Sequence, residues 1–541
     1  MITLFNRKEK KLIAVLVVFS IINSSVNFLF IQLVNDLISI IVSDQVPVVS
    51  DFLIKFLVVI VVFFTTRIAI SRGIIHLSQS TYWKIRLNIV KKVITASYSV
   101  ISKKKAEIYS TLTHDVENIT QLSFVLVNIF TATLTALACM AYLFFLSSTI
   151  FFITLFNFLI AYSIYHFVSK KGTAAFIVSR KLEENFLKLL NETLHGSKEI
   201  NMDRKIGRKI LSPYITGVSK KCEHSSKDAY NAFLNSQVAG QIFSFVMIML
   251  ILLFGQTYLG ATSSSVIKFT FTLLYIMEPV GNATNSIPVI SKAFISWDKI
   301  KTLGVTFGDE KSNGIEKVKN RFCQNNFNTI ELKKVSYEYP ESNFKIGPIN
   351  LELQKGDTVF IYGENGSGKT TLMNTIIALS KLQKGELIRD QNLVNESNIE
   401  EYRSLFSVVF NDYFLFDQFY NIDKIVLEEA YYYLHLFEMS DKVSISSNGF
   451  SSTDLSTGQR KRLALIYAIL VKKPIIVLDE WAADQDPYFR QKFYHDIVPL
   501  LNSKGFTIVA ITHDDKYYHC CDKLFEMSNG KLLKKEKTLQ V

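Results

Sequence analysis

Long apolar runs dominate the first half of the chain, and near residue 300 they give way to short stretches that alternate apolar and polar positions. The runs cover residues 12–33, 52–70, 122–146, 149–167, 238–259 and 266–287. Several reach the ~20 residues a helix needs to cross a hydrocarbon core, so the pattern predicts about six transmembrane helices. Residues 71–121 and 169–237, between the runs, are rich in helix formers and too long for turns. They predict helices that continue well beyond the bilayer. "AEIYSTLTHDVENI" and "NETLHGSKEINMDR" fall near the middle of these two excursions, each reading as an amphipathic helix with its turn. The texture then passes through the polar "GDEKSNGIEKVKNRFCQNN" into "TIELKKVSYEYP" and "INLELQKGDTVFIYG", which alternate as strands do. The expected organisation is a membrane domain over 1–305, a linker over 306–324 and an α/β domain over 325–541.

Charge orients this arrangement. Arg7, Lys8, Lys10 and Lys11 precede the first run; Lys84, Arg86, Lys91, Lys92, Lys103, Lys104 and Lys105 follow the second; Lys170, Lys171, Arg180 and Lys181 follow the fourth. "SDQVPVVSD", after the first run, has no Lys or Arg, and little more than "SST" joins the third run to the fourth. The basic segments should be cytosolic, together with the N-terminus and the C-terminal domain. A net charge of +12 therefore suits an anionic membrane face, and no basic, aromatic module of a nucleic-acid reader accompanies it. The basic start of "MITLFNRKEKKLIAVLVVFSIINSSVNFLF" is like a signal peptide, but its apolar run continues past a short hydrophobic region without a clear small-residue cleavage site. It reads as a retained first span. The five cysteines show neither a disulfide framework nor metal-ligand spacing. Arg67 and Glu278 lie within spans, each roughly 20–25 Å below the outer surface at a rise of ~1.5 Å per residue. They are expected to line an inward-facing cavity, paired across helices or, for Arg67, snorkelling towards headgroups.

The C-terminal half carries the chemistry. "GENGSGKTT" follows the strand-like "TVFIY" and precedes the helical "LMNTIIAL", the context a phosphate-binding loop requires. Gly363, Gly366 and Gly368 let backbone N–H groups turn towards phosphate oxygens, with Asn365, Ser367 and Thr371 in the same loop and helix start. Lys369 should reach the β and γ phosphates, and the Thr370 hydroxyl should bind Mg²⁺. "PIIVLDE" is a hydrophobic strand ending in two carboxylates. Asp479 is expected to hold Mg²⁺ through water, and Glu480 to polarise the attacking water.

Three further segments identify the kind of phosphate-loop protein: "LSTGQRKRLALIYAIL", the carboxylate strand directly after it, and "IVAITHDD". Together they resemble an ATP-binding cassette (ABC) ATPase across the whole soluble half. The resemblance implies that Leu455, Ser456, Thr457, Gly458 and Gln459 form a signature closing in trans over ATP held by a second copy. It also implies that His513 contacts the γ phosphate, that Tyr339 stacks on adenine, and that Asp486 belongs to the D-loop. Asn411 stands where a longer glutamine is usual, and Thr457 replaces a glycine, so an ordinary backbone conformation is expected there. The membrane half resembles a type IV exporter, with the cytosolic excursions as helices ending in coupling turns. The expected fold is thus an α-helical polytopic membrane domain fused to an α/β nucleotide-binding domain.

More narrowly, "DEWAADQDPYFRQKFY" and "LSTGQRKRLAL" resemble the bacterial branch of cyclic-peptide, pyoverdine-type siderophore and microcin exporters. This implies a homodimer of the bacterial cytoplasmic membrane that exports a small peptide-like substrate with ATP and Mg²⁺. A lipid flippase or broad multidrug exporter is the alternative, and a membrane-anchored ATP-dependent sensor is a further one.

Overall fold

The computed structural model describes residues 7–42, 49–258, 260–307, 326–338, 344–380, 382–420, 422 and 426–536. Tyr339 and Cys323 lie outside these residues, as does the expected linker 306–324 beyond its first two positions. The chain falls into two compact units, Met1–Ile315 and Glu316–Val541.

The first unit is built of long helices: α1 (Arg7–Val42), α2 (Val49–Thr95), α3 (Tyr98–Leu146), α4 (Ser148–His195), α5 (Arg204–Phe254) and α6 (Ser263–Thr306). Among the described residues, five helices, α1 to α5, are long and apolar enough to cross a membrane. These are five of the about six that the sequence leads one to expect. Helix α6 is as long, but Lys268, Glu278, Asn282 and the helix-internal Pro279 and Pro288 dilute its apolar run. Its packing is nonetheless that of a core member, since Phe269, Leu273 and Ile276 are buried with Ile31, Cys139, Leu143, Ile150 and Met247. The 47 residues of α2 would extend ~70 Å, more than twice a hydrocarbon core, which accounts for its polar C-terminal half.

The two mid-excursion segments differ. In the second, the short helix Ser197–Met202 lies between Gly196 and Asp203, as a turn-bearing tip should. In the first, "AEIYSTLTHDVENI" contains no reversal, which corrects that expectation; the chain breaks earlier, at Ala96 and Ser97. Residues Thr111–Asp115 form a π-helical turn inside α3 instead. That turn carries the fully buried Asp115, on which Arg180 of α4 places Nη2 at 3.0 Å from both carboxylate oxygens. Ser296 of α6 donates to the same carboxylate at 2.8 Å. A buried charge needs such partners, so this lock pins three helices at one level.

Among the described residues, the second unit forms two sheets. An antiparallel sheet has the order β2–β1–β4–β5, from β1 (Thr329–Glu338), β2 (Lys345–Gln354), β4 (Lys384–Arg389) and β5 (Asn392–Leu393). The other has the order β10–β9–β3–β8–β7–β6, from β3 (Thr358–Tyr362), β6 (Phe406–Val409), β7 (Ile475–Asp479), β8 (Thr507–Ile511), β9 (Lys523–Ser528) and β10 (Lys531–Lys535). In the latter, β9, β3, β8, β7 and β6 run parallel and β10 pairs antiparallel. Strands β7 and β8 are buried along their whole length. This is why "IIVLD" and "TIVAI" read as nearly continuous apolar runs, as parallel strands covered on both faces do.

Candidate functional site

Four adjacent strands of the parallel sheet end at one edge, and each is followed by a residue marked in the sequence. Strand β3 leads into Gly363, β8 into His513, β7 into Asp479 and Glu480, and β6 into Asn411. Register keeps the ends level, with Ile361 opposite Ile511 and Ile511 opposite Asp479. The carboxyl edge of such a sheet is where open α/β folds bind ligands.

The loop after β3 is shaped by its glycines. Gly363, Gly366 and Gly368 all have positive φ. At Gly363 the approach is also too close for a side chain, since a Cβ would lie 2.1 Å from the Met527 carbonyl oxygen. Helix α7 (Lys369–Ile376) starts directly afterwards. Lys369 is buried and its Nζ folds back onto the carbonyls of Gly363 at 2.8 Å and Glu364 at 3.1 Å. Burial lowers its pKa, opposed by the nearby Glu480 and Asp479 charges. Asn365 and Thr370 are exposed, whereas Ser367 and Thr371 are buried, and Ser367 Oγ has no partner among the described residues.

Across the edge, Asp479 is buried and its Oδ1 has no hydrogen-bond partner among the described residues. Burial and then the Glu480 charge push its pKa up to about 6, against a supporting backbone N–H of Asn411. A buried carboxylate oxygen left without a partner, beside a glycine loop and an exposed threonine hydroxyl, fits a divalent cation. Asp479 and Thr370 are the residues that would hold Mg²⁺, which would neutralise charge on phosphate oxygens.

Glu480 sits in the left-handed region at φ 50 and starts the 3-10 turn Trp481–Asp484. Its Oε1 lies 3.3 Å from His513 Nε2, and its Oε2 accepts from Asn411 Nδ2 at 3.5 Å. His513, Glu480 and Asn411 thus form one chain of polar contacts. Lys461, one more cation in the sequence pattern, anchors that chain. It is 1% exposed, and its Nζ reaches Asn411 Oδ1 at 3.2 Å, the Glu480 carbonyl at 3.0 Å and Asp484 at 2.7 Å. The available signal was its helical setting, since in "TGQRKRLAL" the lysine falls on the apolar face of the helix with Ala464, Leu465 and Ala468.

The signature segment forms its own set of contacts. Ser456 caps α8 (Thr457–Leu470) by accepting from the Gln459 N–H, and its own N–H donates to the Gln459 side-chain oxygen to complete a capping box. Thr457 is the first residue of that helix and has no positive φ. Leu455 packs partly buried against the core. Gly458 lies under the Asp484 carbonyl, 2.6 Å from where a Cβ would stand, and its own carbonyl accepts from Gln485 at 3.0 Å. Asp486 caps α9 (Pro487–Lys492) and pairs with Arg462 at 3.0 Å. Trp481 is buried, donating from Nε1 to the Lys461 carbonyl at 2.7 Å and packing on Phe493 at 4.5 Å. An indole after the carboxylate pair therefore fills the core beneath the edge.

In the helical unit Arg67 and Glu278 are both exposed, and among the described residues no ion pair joins them.

A family model described as ABC transporter matches residues 346–483. The chain is 28% identical over 481 residues to ATP-binding protein SyrD of Pseudomonas syringae pv. syringae, across 84% of this chain and 83% of that one. It is 25% identical over 488 residues to the ATP-dependent lipid A-core flippase of Francisella novicida, across 85% of this chain and 80% of that one. A solved bacterial Atm1-family ABC exporter with ATP bound has the same fold, with a TM-score of 0.82 over 98% of this chain and 95% of that chain at 14% identity. Residues 346–483 are therefore an ABC transporter domain, and likeness that runs through both units, and not only through the phosphate loop, supports an exporter half-transporter that hydrolyses ATP with Mg²⁺.

Proposed function

We propose that two copies of the chain assemble in a bacterial cytoplasmic membrane and export a small peptide-like molecule: a cyclic or lasso peptide, or a peptide siderophore. Lys369 and the backbone N–H groups of the 363–371 loop would hold the ATP phosphates, and Glu480 would orient the attacking water and accept its proton. His513 keeps the Glu480 carboxylate in place from one side and Asn411 from the other. The 455–459 signature would complete the site of the second copy, with Asp486 and Arg462 bracing its base. ATP can drive the cycle only if it binds the closed pair better than the open one; hydrolysis then releases the pair and resets the spans.

The cargo reading rests on one observation. Arg67, Asn235, Gln241, Glu278 and Asn282 all lie exposed on helices of the single protomer. Amides and charges are costly against lipid, so a wet path between two copies is where they belong, and amides suit a peptide backbone. Asn23 does not contribute: it is buried and its amide donates to Thr66 at 3.1 Å. A lipid cargo is the second reading, favoured by the full-length likeness to the Francisella flippase.

Reconstituted protein should show ATPase stimulation by a panel of small cyclic peptides and peptide siderophores, and ATP-dependent uptake of a labelled one into inverted vesicles. Stimulation confined to lipid A-type lipids or amphiphilic drugs would replace the peptide reading. ATP hydrolysis without any cargo movement would favour a sensor.

A further inference from the structure

We propose that His495, His519 and Cys520 form a binding site for a zinc-like divalent transition ion on the ATPase domain. His495 lies in the turn Phe493–Ile497 that continues α9, and His519 and Cys520 end the 3-10 turn Asp515–Cys520. One donor atom from each residue lies within 4.8 Å of the other two. Cys520 Sγ is 3.4 Å from His519 Nε2 and 3.9 Å from His495 Nδ1. A tetrahedral ion with Zn–S of ~2.3 Å and Zn–N of ~2.0–2.1 Å sets neighbouring donors roughly 3.3–3.6 Å apart, so the three atoms, all within 4.8 Å of one another, would draw together by up to about 1.5 Å to ligate. Two imidazoles and a thiolate select zinc-like ions over the magnesium that the nucleotide site takes.

Both imidazoles are exposed and the thiol is half-buried, which gives an ion entry from solvent and leaves a fourth position for water. The ring of Tyr517 holds the two segments together, stacking on Tyr494 at 4.4 Å and presenting an edge to His495 at 5.5 Å. Ligation breaks the S–H bond, forms the metal–sulfur bond and releases one proton to solvent. The sequence hides the cluster because His495 comes from a different segment and the cysteines lack a paired spacing. Its place in the fold gives it a consequence: α9 is capped by Asp486, and the 3-10 turn begins just past His513. An ion here would tie together the two segments that follow these loops.

Cobalt(II) is the probe, added to the full-length protein in detergent. The expected result is one equivalent bound per chain, a thiolate-to-cobalt charge-transfer absorption, tetrahedral ligand-field bands, and displacement by zinc. Cys520→Ser should abolish the charge-transfer band, and His495→Ala and His519→Ala should each weaken cobalt binding at least about tenfold. Cys222→Ser should leave the spectrum unchanged. Melting of each variant without metal checks that it folds. A band that survives Cys520→Ser, affinities unchanged in both histidine variants, or no saturable cobalt binding would overturn the proposal. None of these readouts depends on the cargo.

Discussion

Asp479→Asn should make the nucleotide-free protein more stable while disabling it. The Asp479 carboxyl is 3% exposed, and burial first, then Glu480, raises its pKa from 3.8 to about 6. Between those values the folded chain keeps a proton that the unfolded chain has lost, so folding stability falls as pH rises through the window. Above pH ~6 the penalty is complete, and at ~1.4 kcal/mol per pH unit it amounts to ~3 kcal/mol. An asparagine has no charge to bury. In chelator and without nucleotide, the variant should therefore exceed wild type by up to ~3 kcal/mol at pH ~7.5, with the gap closing towards pH ~4. Mg²⁺ and ATP should reverse the order, because the wild-type carboxylate gains the cation it lacks and the amide does not. Calorimetric melting of the full chain across pH, with and without Mg²⁺–ATP, measures all three comparisons. A variant that melts below wild type at pH ~7.5 without nucleotide, or a gap that ignores pH, would refute the reasoning.

Glu480→Gln should lower ATP turnover by about 10²–10⁴-fold and prolong the ATP-bound closed pair; steady hydrolysis near the wild-type rate would contradict a role in activating water. Lys461→Met should lower turnover with little change in nucleotide affinity, because it frees the Asn411 amide and the Glu480 backbone without touching the phosphate loop; parallel binding and rate measurements separate the two effects. Arg180→Met leaves the buried Asp115 carboxylate without its cation and should cost about 3–5 kcal/mol, read by denaturant titration of the helical unit. Arg67→Gln, Glu278→Gln and the double variant should change transport non-additively if the two groups share the cargo path; strictly additive effects would separate them.

The edge of the parallel sheet was legible because its chemistry is local. A glycine loop after a strand and two acids ending another declare themselves within a few residues, and strand order does the rest. What escaped the sequence depends on contacts across long separations. Lys461 reads as one more cation in "GQRKRL", and only the fold shows its ammonium in the core between Asn411 and Asp484. The same holds for Asp115, whose partners Arg180 and Ser296 come from two other helices. The segment "STLTHD" has the polar texture of a turn but forms a π-helical turn that carries Asp115, the partner of Arg180. Helix α6 shows the opposite lesson, since prolines and charges diluted its apolarity without removing it from the core.

The buried indole beneath the sheet edge has an optical consequence. The chain has three tryptophans, and Trp83 and Trp297 both belong to the helical unit. Replacing those two with phenylalanine would leave Trp481 as the single tryptophan, excitable apart from the tyrosines at the red edge of absorption, one residue past Glu480 and shielded from water. Its colour, lifetime and energy transfer to a fluorescent nucleotide analogue would then follow each turnover from inside the protein, with no attached dye.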